Sequence, residues 1–365
     1  LELEKLSIRK FRNLEDLELL PGSGMNVIYG ENAQGKTNLL EAVYLLSTLR
    51  SFRTRNLVET FRFGEASSMV EGNIHTVHGK HQLSVNLEKA EKHAFLDRQK
   101  VDSLRYLGVL NVFLFSYPLL EVVRGGPEDR RRFIDRTIAM SRPTYLPVLM
   151  QYHRALKQKN ALLAMLQKGE SGKKEGLRSL HAFNQQLLEH GLEIVEYRNS
   201  YLNQLQQLLH KKQHLFFDSD SNLGIELSSN FRASRNELEQ KLEEITQREI
   251  LRGSCLLGVH RDEIRMVLHG KELRKYGSSG QHRAYLLLLL LAQLELYEQL
   301  REDRPVLLLD DLDSELDQQK IQSFFNEIKD RYQTLISSSR RELFQGNGNM
   351  RFYGISSGRV LEMQT

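Results

Sequence analysis

The stretch Tyr29-Gly30-Glu31-Asn32-Ala33-Gln34-Gly35-Lys36-Thr37-Asn38 fits the pattern G-x-x-x-x-G-K-[ST] from Gly30 to Thr37. Met25-Asn26-Val27-Ile28-Tyr29 before it reads as a buried strand, and Leu39-Leu40-Glu41-Ala42-Val43-Tyr44-Leu45-Leu46 after it as a helix with a wide apolar face. A glycine-rich turn between strand and helix lets the backbone wrap a phosphate chain. The amides of Gly30, Glu31, Asn32, Ala33, Gln34 and Gly35 and the positive helix end then meet its charge, with Asn38 closing the stretch. Lys36 reaches the outer phosphates and the Thr37 hydroxyl can ligate Mg²⁺. A nucleoside triphosphate site, ATP with Mg²⁺, is expected here.

Working outward, 365 residues exceed one small core and imply two or more packed units. The composition, 40% hydrophobic and 27% charged, is that of a soluble globular protein. A net charge of +4 is too small to indicate nucleic acid, so any such surface must come from local clustering. The single cysteine, Cys255, excludes an intrachain disulfide and a thiol pair for a metal; a buried apolar role in a reducing cytosol is expected. Neither Leu1 to Leu6 nor the apolar run Ala284 to Ala292 has the character of a signal sequence or membrane span, so a cytoplasmic protein with no membrane partner is expected.

Alternating apolar residues before the loop (Leu1, Leu3; Leu6, Ile8; Leu17, Leu19) give two strands. Arg12, on their connection, either reaches the nucleotide phosphates or is a solvated loop arginine. Beyond the loop helix, Arg50-Ser51-Phe52-Arg53-Thr54-Arg55 sets three guanidiniums around one aromatic, a pattern suited to a phosphate backbone and equally to a solvated face. Residues Met69 to Val101 read as an antiparallel meander, and Leu110 to Phe115 as a further strand.

From Pro147 to about Arg252 the chain reads as a helical arm. Leu149, Tyr152, Leu156, Leu163 and Leu166, then Leu180 to Leu208, keep helical spacing, giving two helices hinged near Gly169 to Gly176. A helix of about 29 residues there is about 43 Å long. Ser234-Arg235-Asn236-Glu237 matches a capping box opening a third helix. His260-Arg261-Asp262 is expected in a strand-leading turn of the second ATPase half.

Ser278, Ser279, Gly280 and Gln281 precede a strongly apolar helix and offer a second anion-binding element. Pro305-Val306-Leu307-Leu308-Leu309-Asp310-Asp311 reads as a buried parallel strand ending in two carboxylates, the first suited to Mg²⁺ and the second to positioning water. Thr334-Leu335-Ile336-Ser337 is another strand, with a hydroxyl at the sheet edge where ligands collect. Loop, serine-glycine signature and acidic strand, in that order, form the arrangement of ABC-type ATPases, in which two protomers sandwich each nucleotide. The expected fold is an α/β ABC-type ATPase head, a mixed sheet with P-loop plus an antiparallel β subdomain, interrupted by a helical arm. The expected domains are 1–115, 116–252 and 253–365.

The chain resembles the bacterial RecF family of SMC-like ABC ATPases. The resemblance rests on Phe11-Arg12-Asn13, Gly30 to Ala42, Arg50 to Thr54, Gly126-Pro127 with Arg131-Arg132, His260-Arg261-Asp262, Ser279-Gly280-Gln281 and Leu307 to Asp311 closed by Ser314-Glu315-Leu316-Asp317. It departs from the family pattern at Ser116-Tyr117-Pro118-Leu119, which lacks acids, and at Val259 and Glu263. The resemblance implies a D-loop including Ser314 and Asp317, the switch position at Ser337, and Ser278 to Gln281 acting in trans. It also implies an ATP-dependent homodimer that clamps DNA and acts with RecO and RecR to load the recombinase at gaps. Lys36, Asp311 and Ser337 are then the catalytic residues. Asp311 is one methylene shorter than the usual glutamate, so a weak DNA-dependent ATPase is expected. Arg50, Arg53, Arg55, Lys157 and Lys159 are the DNA-contact candidates. A transporter ATPase subunit, an overcoming-lysogenization type nuclease and a nonhydrolysing scaffold are the alternatives.

Overall fold

The computed structural model describes residues 1–89, 91–169, 173–218, 220–311, 318–344 and 350–364. It divides into two compact units: Leu1–Glu121, Lys212–Ser219 and Ser278–Thr365 form the first, and Val122–Lys211 with Asp220–Gly277 the second.

In the first unit, the strand Met25–Tyr29 lies inside a six-stranded sheet. In spatial order the sheet runs Arg359–Gln364, Met350–Ser356, Met25–Tyr29, Thr334–Ser338, Val306–Asp310 and Val112–Phe115. Only the first pair is antiparallel. The inner strands read as near-continuous apolar runs because both faces are covered. Asn26, fully buried in the middle of this sheet, is satisfied by bonds to Gly22, Gly24 and Thr334 of 2.6 to 3.2 Å, which tie the preceding turn to the sheet.

A second, antiparallel sheet runs Leu17–Leu19, Glu2–Arg9, Ser67–Thr76, Gly79–Glu88, Glu91–Leu96 and Gln99–Val101, which is the expected meander extended by the N-terminal strands. The helix Lys36–Thr48 is buried against both sheets: Leu39, Leu40, Val43 and Leu46 share one core with Ile8, Val70 and Val85 of the antiparallel sheet and Leu308 and Leu335 of the other. A helix covered nearly all round needs no polar face, which explains why its apolar stripe is so wide. In Ser279–Arg301, Leu286 to Leu291 are all buried, and Tyr297 packs edge-on against Phe113 at 5.7 Å. Each such leucine contributes about 1.5–3 kcal/mol.

The second unit holds the helices Pro127–Ser141, Tyr145–Lys168, Arg235–Arg252 and all but the last residue of Lys173–Lys212, with a three-stranded antiparallel sheet. The last of these helices runs 40 residues, about 60 Å, longer than the spacing of its leucines suggested. The capping box at Ser234 and Glu237 forms as expected. The division of the chain falls after 277 and not at 252: Glu263–Leu268 pairs with Leu223–Ser228, so residues 253–277 fold with the arm. His260-Arg261-Asp262 does lead a strand, but of this sheet. Its Asp262 joins a buried network in which Arg198 grips both oxygens of Asp135 at 2.8 Å and Asp262 at 2.7 Å, with Tyr145 donating to Asp135 at 2.6 Å. Cys255 is buried, which pushes its thiol up to about 11. Among the described residues, no helix is long and apolar enough to cross a membrane.

Candidate functional site

Gly30 to Lys36 turn from the end of the central strand into the helix as a loop held from three sides. Asn13 Nδ2 donates to the Ala33 carbonyl at 3.0 Å, and Asn38 donates to Asn13 at 2.6 Å. From the hairpin joining the two antiparallel edge strands, the amides of Ser357 and Gly358 donate to the Gln34 side chain at 2.5 Å and the Gln34 carbonyl at 3.0 Å. Gly35 sits at φ +115°, where a side chain is strained and a Cβ would meet Leu14 at 2.8 Å. The Lys36 ammonium lies under the loop and donates to the Gly30 and Glu31 carbonyls at 2.8 Å each.

Three parallel strands deliver the remaining groups to the same edge. Asp310 ends one strand, Ser337 is the penultimate residue of the next, and Thr37 lies in the first turn of the helix after the third. Asp310 Oδ1 accepts from Thr37 Oγ1 at 2.8 Å and from Ser337 Oγ at 2.7 Å, while Ser337 Oγ in turn accepts from the Asp311 amide at 3.0 Å. Asp310 is 7% exposed, and burial raises its pKa; hydrogen bonds from Ser337 and Thr37, then the charges of Arg53 and Lys36, pull the other way. A hydroxyl and a carboxylate side by side make an all-oxygen donor set of the kind Mg²⁺ takes. Among the described residues no group of three or more His, Cys, Asp or Glu side chains is placed to hold a metal, so this pair relies on ligands from the nucleotide and water.

The loop opens on a cavity of about 820 Å³ lined by Arg12, Asn13, Asn32, Ala33, Gly35, Lys36, Thr37, Asn38, Arg53, Phe61, Arg62, Phe63 and Asp311. Arg12, left open between nucleotide and solvent by its sequence position, belongs to the cavity. So does Arg53, a DNA-contact candidate: its guanidinium donates to Asn38 at 2.6 Å and lies 3.5 Å from Glu41. Arg50 and Arg55 are exposed. Of the two arm lysines, Lys157 is exposed. Lys159 is not, and this corrects its assignment: it is fully buried and ion-paired with Glu249 at 2.7 Å, out of reach of any backbone phosphate.

Ser278, Ser279 and Gly280 are exposed at a helix start, where Ser278 and Gln281 form a capping box, and none of these four lines the cavity. Ser314 and Asp317 lie outside the described residues. Sequence alone did not single out Glu41. This carboxylate is fully buried in the loop helix and accepts from Arg12 at 3.0 and 2.7 Å and from Ser51 at 2.5 Å. A lone acid in an otherwise apolar helical run was the signal, because only a paired carboxylate tolerates such a position.

The family model for the RecF/RecN/SMC N terminal domain matches residues 2–360. The DNA replication and repair protein RecF of Geotalea uraniireducens (strain Rf4) is 33% identical over 372 residues, 99% of this chain and 100% of the relative. The protein of that name from Bacillus thuringiensis (strain Al Hakam) is 35% identical over 346 residues, 92% of each. A solved structure of the recombination mediator protein RecF-ATP in RecFOR pathway matches with a TM-score of 0.90 at 30% identity, covering 100% of this chain and 97% of that one. An Smc head bound to the C-winged helix domain of ScpA, at 13% identity and a TM-score of 0.54, shares the fold. With the family model and these relatives spanning nearly its whole length, the chain belongs to the RecF family.

Proposed function

We propose that this chain is an ATP- and Mg²⁺-dependent DNA-binding protein of replication and repair. It dimerises on ATP, clamps single- or double-stranded DNA at gaps with little sequence preference, and helps load the recombinase with RecO- and RecR-like partners at the nucleoid. The relatives named DNA replication and repair protein RecF support the DNA side of this reading. One observation carries the dimer: the cavity is lined by the loop, Arg12 and Asp311 but by no residue of Ser278 to Gln281, of which Ser278, Ser279 and Gly280 stand exposed elsewhere on the same unit. A twofold copy supplies to each cavity the helix end it lacks, and both interfaces are then satisfied by one contact.

Within each half, Lys36 exchanges the Gly30 and Glu31 carbonyls for the outer phosphates. Thr37 and Asp310 would hold Mg²⁺, which offsets phosphate charge when bound. Asp311 positions water, and Ser337, bonded to Asp310 and to the Asp311 amide, fixes the spacing of the two acids. Asp311 is the short acid at this position, so hydrolysis is slow and DNA-stimulated, suited to a timer. Arg50, Arg55 and Lys157 contact backbone phosphates, which gives strong salt dependence.

Sedimentation velocity with ATP and Mg²⁺, with ADP and without nucleotide, each with and without DNA, tests the reading. A dimer specific to ATP is expected. A monomer under saturating ATP and Mg²⁺ on DNA refutes the clamp.

A further inference from the structure

Phe63 is fully exposed, at 104% relative accessibility, yet lines the same cavity as Lys36 and Thr37. Its placement is built in. Phe61 bridges to Phe11, and the Arg12 amide donates to Thr60 at 2.7 Å while the Arg62 amide donates to Lys10 at 2.9 Å. The Glu65 amide then donates to the Arg62 carbonyl at 2.9 Å, closing a four-residue turn whose third residue, Gly64, takes φ +84°. That is the geometry of a type II turn, which requires glycine there. Lys10 fastens the turn through Glu65 at 2.9 Å. Phe63 occupies the second position, so its ring projects from a braced turn and gains no cover from its own fold.

Arg12 joins the segment leading into this turn to the helix that follows the phosphate loop. Its guanidinium donates to the Glu59 carbonyl at 2.6 Å on one side and grips Glu41 of the loop helix on the other. The cavity therefore combines a phosphate-binding floor with an aromatic wall on a separate, anchored element.

We propose that Phe63 is the platform on which the base of the bound nucleotide stacks, so that affinity divides between phosphates held by the loop and a purine held by this ring. The proposal rests on the nucleotide reading of the cavity. Stacking draws on the face every base possesses, so Phe63 adds affinity without choosing between adenine and guanine by hydrogen bonding.

The test uses the full chain with ATP, GTP and inorganic tripolyphosphate, each with Mg²⁺, in equilibrium binding. Phe63→Ala should weaken ATP and GTP about 5- to 150-fold and leave tripolyphosphate unchanged. The chain contains no tryptophan, so Phe63→Trp installs a single tryptophan, excited at wavelengths where the tyrosines do not absorb. Its fluorescence should be quenched by ATP and not by tripolyphosphate. Unchanged ATP affinity in Phe63→Ala, or equal loss for ATP and tripolyphosphate, overturns the platform while leaving the phosphate site standing. If the unaltered chain binds neither ATP nor tripolyphosphate, the nucleotide reading itself falls, and the platform with it.

Discussion

Thr37 Oγ1 donates to Asp310 Oδ1 at 2.8 Å although the two residues stand 273 positions apart. The strand Thr334–Ser338 lies between theirs and adds the Ser337 hydroxyl to the same oxygen at 2.7 Å. Replacing Thr37 by Val removes one of two oxygens offered to Mg²⁺, and hydrolysis should fall about 10²–10³-fold with the fold intact. Steady-state phosphate release and circular dichroism on the same preparation check this.

Stability of the nucleotide-free protein should depend on pH through Asp310. Burial holds its carboxyl above the ordinary value of 3.8, so the unfolded chain loses this proton first. The native state is thus favoured below that range and loses this contribution as pH rises from about 4 through the folded value. Asp310→Asn should therefore raise the thermal midpoint of the nucleotide-free protein at pH 7 while removing the benefit of added Mg²⁺. Calorimetric scans of parent and variant at pH 4 and pH 7 compare the two; a variant midpoint below the parent's at pH 7 contradicts the assignment.

Asp311→Asn should cut hydrolysis about 10²–10⁴-fold, the usual worth of a positioned base, and leave ATP-driven association in place. Sedimentation of the variant with ATP should show a persistent dimer. A nonhydrolysing scaffold would show no difference from the parent.

The two arm lysines should separate cleanly. Lys157→Ala should lower DNA affinity and reduce the slope of log affinity against log salt by about 1, with stability unchanged. Lys159→Ala strands Glu249 in the interior and should destabilise the arm by about 3–5 kcal/mol. Urea melts and filter binding at several salt concentrations distinguish them.

The phosphate loop, the strand ending in Asp310 and the helix capped at Ser278 were legible in the sequence because each is a local pattern with its residues at fixed offsets. Arg53 and Glu41 were not, since their pairing depends on how the chain folds back after Leu49. Lys159 carried a readable sign that was passed over: Leu156 and Leu163 flank it at helical spacing, so it sits on the apolar stripe with Tyr152, Ala155 and Leu163. The break after 277 was hidden for another reason. It follows from Glu263–Leu268 pairing with Leu223–Ser228 across an intervening helix, and no local period reports that.

The loop helix is wedged between two sheets that share its leucines. Neither sheet can loosen without releasing Lys36, so occupancy of the phosphates should slow amide exchange deep in the hairpin Ser67 to Glu88, whose residues line no part of the cavity.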